Sequence, residues 1–187
     1  MTRALVFLAP GFEEIEACTI IDVLRRCNIR VIIAGLAPGF VEGSHGIKFD
    51  TDRTVAENRM EDIDAVICPG GGLGTENLRK NQKVLDIVKT AFESNKLVAA
   101  ICAAPAVLSD AGILRHKICT IYPGMESELV KGGGKPSMDI VVVDDNIITS
   151  KGPATALPFA LAIAEKLAGK KAAEEVGKKM LADMVLK

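Results

Sequence analysis

Two apolar patterns alternate along the chain. Short unbroken runs, ALVFL at 4–8, IRVIIA at 29–34, DAVIC at 64–68 and LVAAI at 97–101, read as strands buried on both faces. Between them apolar residues recur at helical spacing. From 13 to 27, Ile15, Cys18, Thr19, Asp22, Val23 and Arg26 fall at that spacing and predict a helix. Residues 73–80 and 82–94 predict two more, ahead of the strand at 97–101. Strand, helix, strand in succession is the order of an α/β domain with a mostly parallel central sheet.

The alternation breaks twice. A Gly-containing polar stretch between 40 and 55 predicts a small hairpin. MDIVVV at 138–143, turned by Asp144, Asp145 and Asn146 into IITS, predicts a second. Residues 154–167 and 171–186 predict two closing helices, with Gly169 as the stop between them. LAPGF occurs at 8–12 and again at 36–40, but the sequences downstream differ, so this is reuse of turn residues and not a repeat. The chain reads as one domain, 1–187.

Composition removes several functions. Lys+Arg 23 against Asp+Glu 24 leaves a formal charge of −1, with no electrostatic footprint for nucleic acid or an anionic membrane. The first apolar run stops at Pro10-Gly11, too short to span a membrane and without a signal-peptide cleavage pattern. A soluble, cytoplasmic protein is expected. The cysteines number 5, with no CxxC pair, and the only histidines are His45 and His116. Neither a disulfide framework nor a metal site is expected from such a set. Cys18, Cys27, Cys68 and Cys119 read as core thiols.

Ligands of a parallel sheet sit beyond the carboxyl ends of its strands. One such end is APGFEEIE, where Glu13, Glu14 and Glu16 are acids that a helix dipole favours in its first turn. Glu16 also lies near the apolar face that holds Ile15 and Cys18. Partial burial there would raise its pKa toward the range useful for acid–base work. A second end is CPGGGLG, which matches neither the dinucleotide nor the nucleoside-triphosphate fingerprint. A tight turn is the simpler reading of these glycines, although successive glycines can also aim amides at developing negative charge. The third is VAAICAAPAVL, where Ala100 and Ala104 flank Cys102 at the offsets of a nucleophile elbow. A helix N-terminus would favour its thiolate. A buried structural cysteine accounts for the local sequence equally well.

Taken in order from Leu5 to the C-terminal helix, APGFEEIEA, CPGGGLG, AAICAAP and TSKGPATA resemble the ThiJ/PfpI superfamily. Within it they are most similar to the branch of the parkinsonism-associated protein deglycase and bacterial ThiJ-type proteins. The resemblance implies a flavodoxin-like (class I glutamine amidotransferase-like) α/β sandwich, a homodimer and no cofactor. It implies that Cys102 is a reactive, oxidation-sensitive nucleophile and Glu16 its hydrogen-bonded general acid/base. It further implies an oxyanion hole from the amides of Gly70, Gly71 and Ala103. Many members carry a His just before a proline near the cysteine, whereas CTIYPGM here places Tyr122 before Pro123. Tyr122 is thus a candidate substrate contact, and no Cys–His dyad is expected. A phenol is a poor base at neutral pH, which leaves Glu16 as the proton carrier.

The implied activity is that of a cysteine-dependent, cofactor-independent glyoxalase or deglycase. Its substrates would be methylglyoxal-type α-oxoaldehydes or their early adducts. The alternative is an oxidative-stress sensor or redox-regulated chaperone whose cysteine is oxidised to sulfinate.

Overall fold

A computed structural model describes residues 1–186. Strand β1 (Arg3–Leu8) leads through helix α1 (Glu14–Arg26) to β2 (Arg30–Gly35), which pairs with β1 in parallel. The chain then forms an antiparallel hairpin of β3 (Phe40–Glu42) and β4 (Lys48–Asp50), with Val41 opposite Phe49. Strand β5 (Arg53–Thr54) joins the main sheet beside β2. Strand β6 (Ala65–Cys68) returns to the other side of β1. Helices α2 (Gly72–Arg79) and α3 (Gln82–Glu93) follow, and the Asn81 side chain caps α3 by accepting from the Val84 N–H.

Strand β7 (Leu97–Ile101) pairs in parallel with β6 and runs through a sharp turn into α4 (Pro105–Asp110). Short strands β8 (Ile118–Cys119) and β9 (Lys135–Pro136) pair with each other around α5 (Glu126–Lys131). The hairpin of β10 (Val141–Asp144) and β11 (Ile147–Ser150) completes the main sheet, with β11 parallel to β7. Helices α6 (Ala156–Ala168) and α7 (Lys170–Lys179) close the described chain, and Gly169 separates them at φ 88°.

The seven-stranded order is β10-β11-β7-β6-β1-β2-β5, parallel apart from β10. Successive side chains of β1 serve opposite faces, as strand geometry requires. Val6 and Leu8 join Ile20, Leu24, Phe159 and Ile163 in one core, while Leu5 and Phe7 join Val66, Val88 and Leu108 in the other. This is the expected α/β sandwich, with helices covering both faces. Among the described residues no helix is long and apolar enough to cross a membrane.

Three expectations need correction. Helix α1 is rotated from the sequence reading: Ile15 and Cys18 are exposed, and the buried stripe is Glu16, Ala17, Ile20, Val23 and Leu24. That stripe carries more apolar area, and it packs against α6. Cys18 is therefore not a core thiol, whereas Cys27, Cys68 and Cys119 are buried. The helix expected over 171–186 ends at Lys179, and Leu181 takes a left-handed conformation at φ 58° before a short turn of 3-10 helix. Strands β5, β8 and β9 and helix α5 had no sequence signal, being too short to show a period.

Candidate active site

Parallel register sets three strand ends side by side. Val6 of β1 is level with Ile67 of β6, and Cys68 of β6 is level with Ala100 of β7. The segments that follow these strands carry Glu16, Gly70–Gly71 and Cys102.

Cys102 sits at φ 63°, a conformation that costs a side-chain-bearing residue about 1–3 kcal/mol. The surroundings enforce it. The Cys102 N–H donates to the Ser150 carbonyl at 3.0 Å, and the Cys102 carbonyl accepts from the Tyr122 N–H at 2.9 Å. Ala104 N–H turns back to the Ile101 carbonyl at 3.0 Å, and Ala100 and Ala104 are fully buried. The small flanking residues thus have the packing role the sequence suggested.

Glu16 is fully buried. Its Oε2 accepts from the Gly70 N–H at 2.7 Å, while Oε1 finds no partner of hydrogen-bonding geometry among the described residues. The Cys102 thiol lies near enough to couple with this carboxyl. Burial pushes the Glu16 pKa up to about 7; the Gly70 amide and the thiol oppose the rise, and the charge of Glu13 adds to it. Gly70 allows the close approach, because a Cβ there would lie 2.5 Å from Cys102 Cβ and 2.8 Å from Glu16 Oε2.

The expected standing thiolate is not what the structure favours. Burial, followed by the negative charge of Glu16, pushes the Cys102 thiol up to about 12, against the Gly71 and Ala103 amides. Helix α4 begins at Pro105, beyond the turn that holds Cys102. The contribution from Glu16 vanishes once that carboxyl takes up a proton. Thiol and carboxyl therefore titrate as a coupled pair.

The structure brings Cys102, Glu16, Gly70, Gly71 and Ala103 together. It departs from expectation at Gly70, whose amide is committed to Glu16, so the amides aimed at the sulfur are those of Gly71 and Ala103. Tyr122 is half exposed, with its backbone on Cys102 and its ring beside Gly152.

Sequence reasoning missed Glu14 and His45. Glu14 is buried and accepts from the His45 N–H at 2.6 Å and from His45 Nδ1 at 2.9 Å. Burial pushes its pKa upward, but the His45 side chain and the His45 and Ile47 amides outweigh that and hold it at about 2. The His45 pKa is raised in turn, first by its bond to Glu14 and then by the charge of Glu13. No local pattern announces a contact across so many residues. Glu13, Glu14 and His45 also place donor atoms within 4.8 Å of one another, close enough for a metal ion. Both Glu14 oxygens already have donors, however, so the cluster is complete as an ion pair. A groove of about 540 Å³ between α6 and α7, lined in part by Leu161, Gly177 and Leu186, includes none of the site residues.

A flavodoxin-like sandwich with a strained cysteine after a central strand, facing a buried glutamate and two backbone amides, defines a cysteine-elbow class of α/β protein. The chain belongs to the DJ-1/PfpI family, whose family model matches residues 2–166. It is 42% identical to the protein dj-1beta of Drosophila melanogaster over 179 residues, covering 95% of this chain and 96% of that one. The crystal structure of Drosophila DJ-1beta superposes with a TM-score of 0.91 at 41% identity, covering 96% of this chain and 97% of that one. A glutathione-independent glyoxalase of Caenorhabditis elegans is 36% identical over 89% of each chain. A deglycase of Pyrococcus abyssi is 33% identical over 81% of this chain and 90% of its own.

Proposed function

We propose that the protein is a cofactor-independent glyoxalase or deglycase acting through Cys102 on methylglyoxal-type α-oxoaldehydes or their early adducts. One observation carries the reading: Glu16 is fully buried beside Cys102 with a pKa of about 7, poised to take a proton and return it at neutral pH. Glu16 accepts the thiol proton as the sulfur attacks the aldehyde carbon, giving a hemithioacetal. The Gly71 and Ala103 amides receive the oxyanion. Glu16 returns the thiol proton to that oxygen, then takes the hydrogen of the former aldehyde carbon as a proton and delivers it to the neighbouring carbon. The hydroxyl proton passes to the neighbouring oxygen. This forms the lactoyl thioester, and water releases lactate and restores the thiol. In this reading Tyr122, half exposed and bonded through its N–H to the Cys102 carbonyl, serves as a substrate contact. The relatives named as a glyoxalase and a deglycase support this class of reaction.

Lactate formation from methylglyoxal without glutathione tests it. Wild type should turn over, while Cys102→Ser and Glu16→Gln should lose at least about a hundredfold in kcat. No lactate above buffer from reduced wild type would sink the proposal.

A second reading, an oxidation sensor or redox-regulated chaperone, is favoured by one feature of the same pair. A carboxyl that is half protonated near neutral pH can donate to a sulfinate formed on Cys102. Mild peroxide should then add two oxygens to Cys102 before the buried Cys27 or Cys68, as read by mass spectrometry. The chain is further proposed to act as one domain and as a homodimer in the cytoplasm. Exposed Ile15 on α1 is the kind of surface such association covers, and the free thiols suit a reducing compartment.

A further inference from the structure

Outside the reacting pair, the most deeply buried acid is Glu14, and the tip of the β3–β4 hairpin is built around it. Its Oε1 accepts from the His45 and Ile47 N–H groups at 2.6 and 3.4 Å, and its Oε2 from His45 Nδ1 at 2.9 Å. Gly43 makes room, since a Cβ there would lie 2.4 Å from the Glu14 carboxyl carbon. The hairpin also grips the loop that precedes α1. Ser44 donates to the Phe12 carbonyl through N–H at 2.9 Å and Oγ at 3.0 Å, and the Gly11 N–H donates to Glu42 at 2.8 Å.

The other side of that loop lies on the glycine turn. The Glu13 N–H donates to the Gly70 carbonyl and the Gly74 N–H to the Gly11 carbonyl, each at 3.0 Å. The loop at 11–13 is thus held between the hairpin tip and the turn that presents Gly70 to Glu16 and Gly71 to Cys102. We propose that Glu14 is a positioning residue: its carboxylate clamps the hairpin tip so that loop 11–13 holds the Gly70–Gly71 amides in register with Glu16 and Cys102. His45 supplies one arm of the clamp, and the backbone amides of His45 and Ile47 supply the other. The proposal rests on the enzymatic reading of the site.

The charged groups facing Glu14 are His45 and, beside it, Glu13; those facing Glu16 are Cys102 and Glu13. Releasing the clamp weakens the Gly70 N–H bond, which holds the Glu16 pKa down, so the working pH of the pair should rise. The test uses Glu14→Ala, Glu14→Gln and His45→Gln, with two readouts. One is kcat and KM for lactate formation against pH; the other is the pH profile of Cys102 alkylation by iodoacetamide, whose midpoint near neutral pH reports ionisation of the neighbouring Glu16 and needs no turnover. Glu14→Ala should lower kcat at neutral pH about tenfold or more, change KM by less than about threefold, and move the alkylation midpoint upward by about one pH unit. Glu14→Gln keeps one accepting oxygen, and His45→Gln leaves the backbone arm intact, so both should fall between wild type and Glu14→Ala.

A general loss of stability would not move the midpoint in the folded enzyme. A folded Glu14→Ala with an unmoved midpoint and kcat within about threefold of wild type overturns the clamp. If Glu14→Ala does not fold, the midpoint in Glu14→Gln decides in the same way. If wild type makes no lactate, the glyoxalase reading fails, and the alkylation midpoint alone decides the clamp.

Discussion

Glu16→Gln converts the burial of one carboxyl into a pH-dependent difference in stability. In the folded chain the Glu16 pKa stands at about 7, against an ordinary 4.5. Across that window the folded protein retains a proton that the unfolded chain has released, so wild-type stability falls as pH rises from 4.5 through about 7. A rise of this size corresponds to about 3 kcal/mol. Gln never ionises, and its oxygen can still accept from the Gly70 N–H, which lies 2.7 Å from the carboxylate in wild type. Cys102 does not titrate in the window, because its thiol is pushed up to about 12.

Urea or thermal unfolding of both proteins from about pH 4 to about pH 8.5 should therefore show two regimes. At the acid end the two should be of similar stability. At the alkaline end Glu16→Gln should be more stable by about 3 kcal/mol, or about 6–12 °C in Tm for a chain of this size. In Cys102→Ala the thiol no longer opposes the rise, so the descent should move to higher pH. If the two proteins differ by the same amount, within about 0.5 kcal/mol, at both ends of the range, the reasoning from burial to pKa is wrong.

Gly70→Ala should cost about 1–3 kcal/mol and slow Cys102 alkylation, since the new methyl meets Cys102 Cβ, Glu16 Oε2 and the Ile101 carbonyl at 2.5, 2.8 and 2.9 Å. A Gly70→Ala protein with wild-type stability and a wild-type alkylation rate is the outcome against it. Leu24→Ala on the buried stripe of α1 should cost about 2–5 kcal/mol, and Cys18→Ala on its exposed side less than about 0.5, as read by urea unfolding. A larger loss at Cys18 than at Leu24 would mean that the helix is turned the other way. The Glu14 pKa is held at about 2, so its contribution to stability is present above 4.5 and lost as pH falls toward about 2. Glu14→Gln should be less stable than wild type at neutral pH, and that gap should close through this acid window.

The linear order of apolar runs was enough to read the sheet strands β1, β2, β6 and β7, both hairpins and the helices between them, because strand and helix periods are local properties of a chain. Cys102 could likewise be singled out locally, since a sharp turn needs small neighbours and Ala100 and Ala104 stand there. Its protonation could not. The pattern from Ile15 to Arg26 even pointed to the wrong side of α1, because which of two half-apolar stripes turns inward depends on the helix that packs against it, here α6. Glu16 reaches full burial where the Gly70 turn and Cys102 come against it, and its raised pKa follows from the burial. The same tertiary contacts commit the Gly70 amide to Glu16 and carry His45 to Glu14. What the chain determines by itself is which residues lie at strand ends; desolvation and hydrogen-bond partners, which set the chemistry of those residues, arise only when distant strand ends meet.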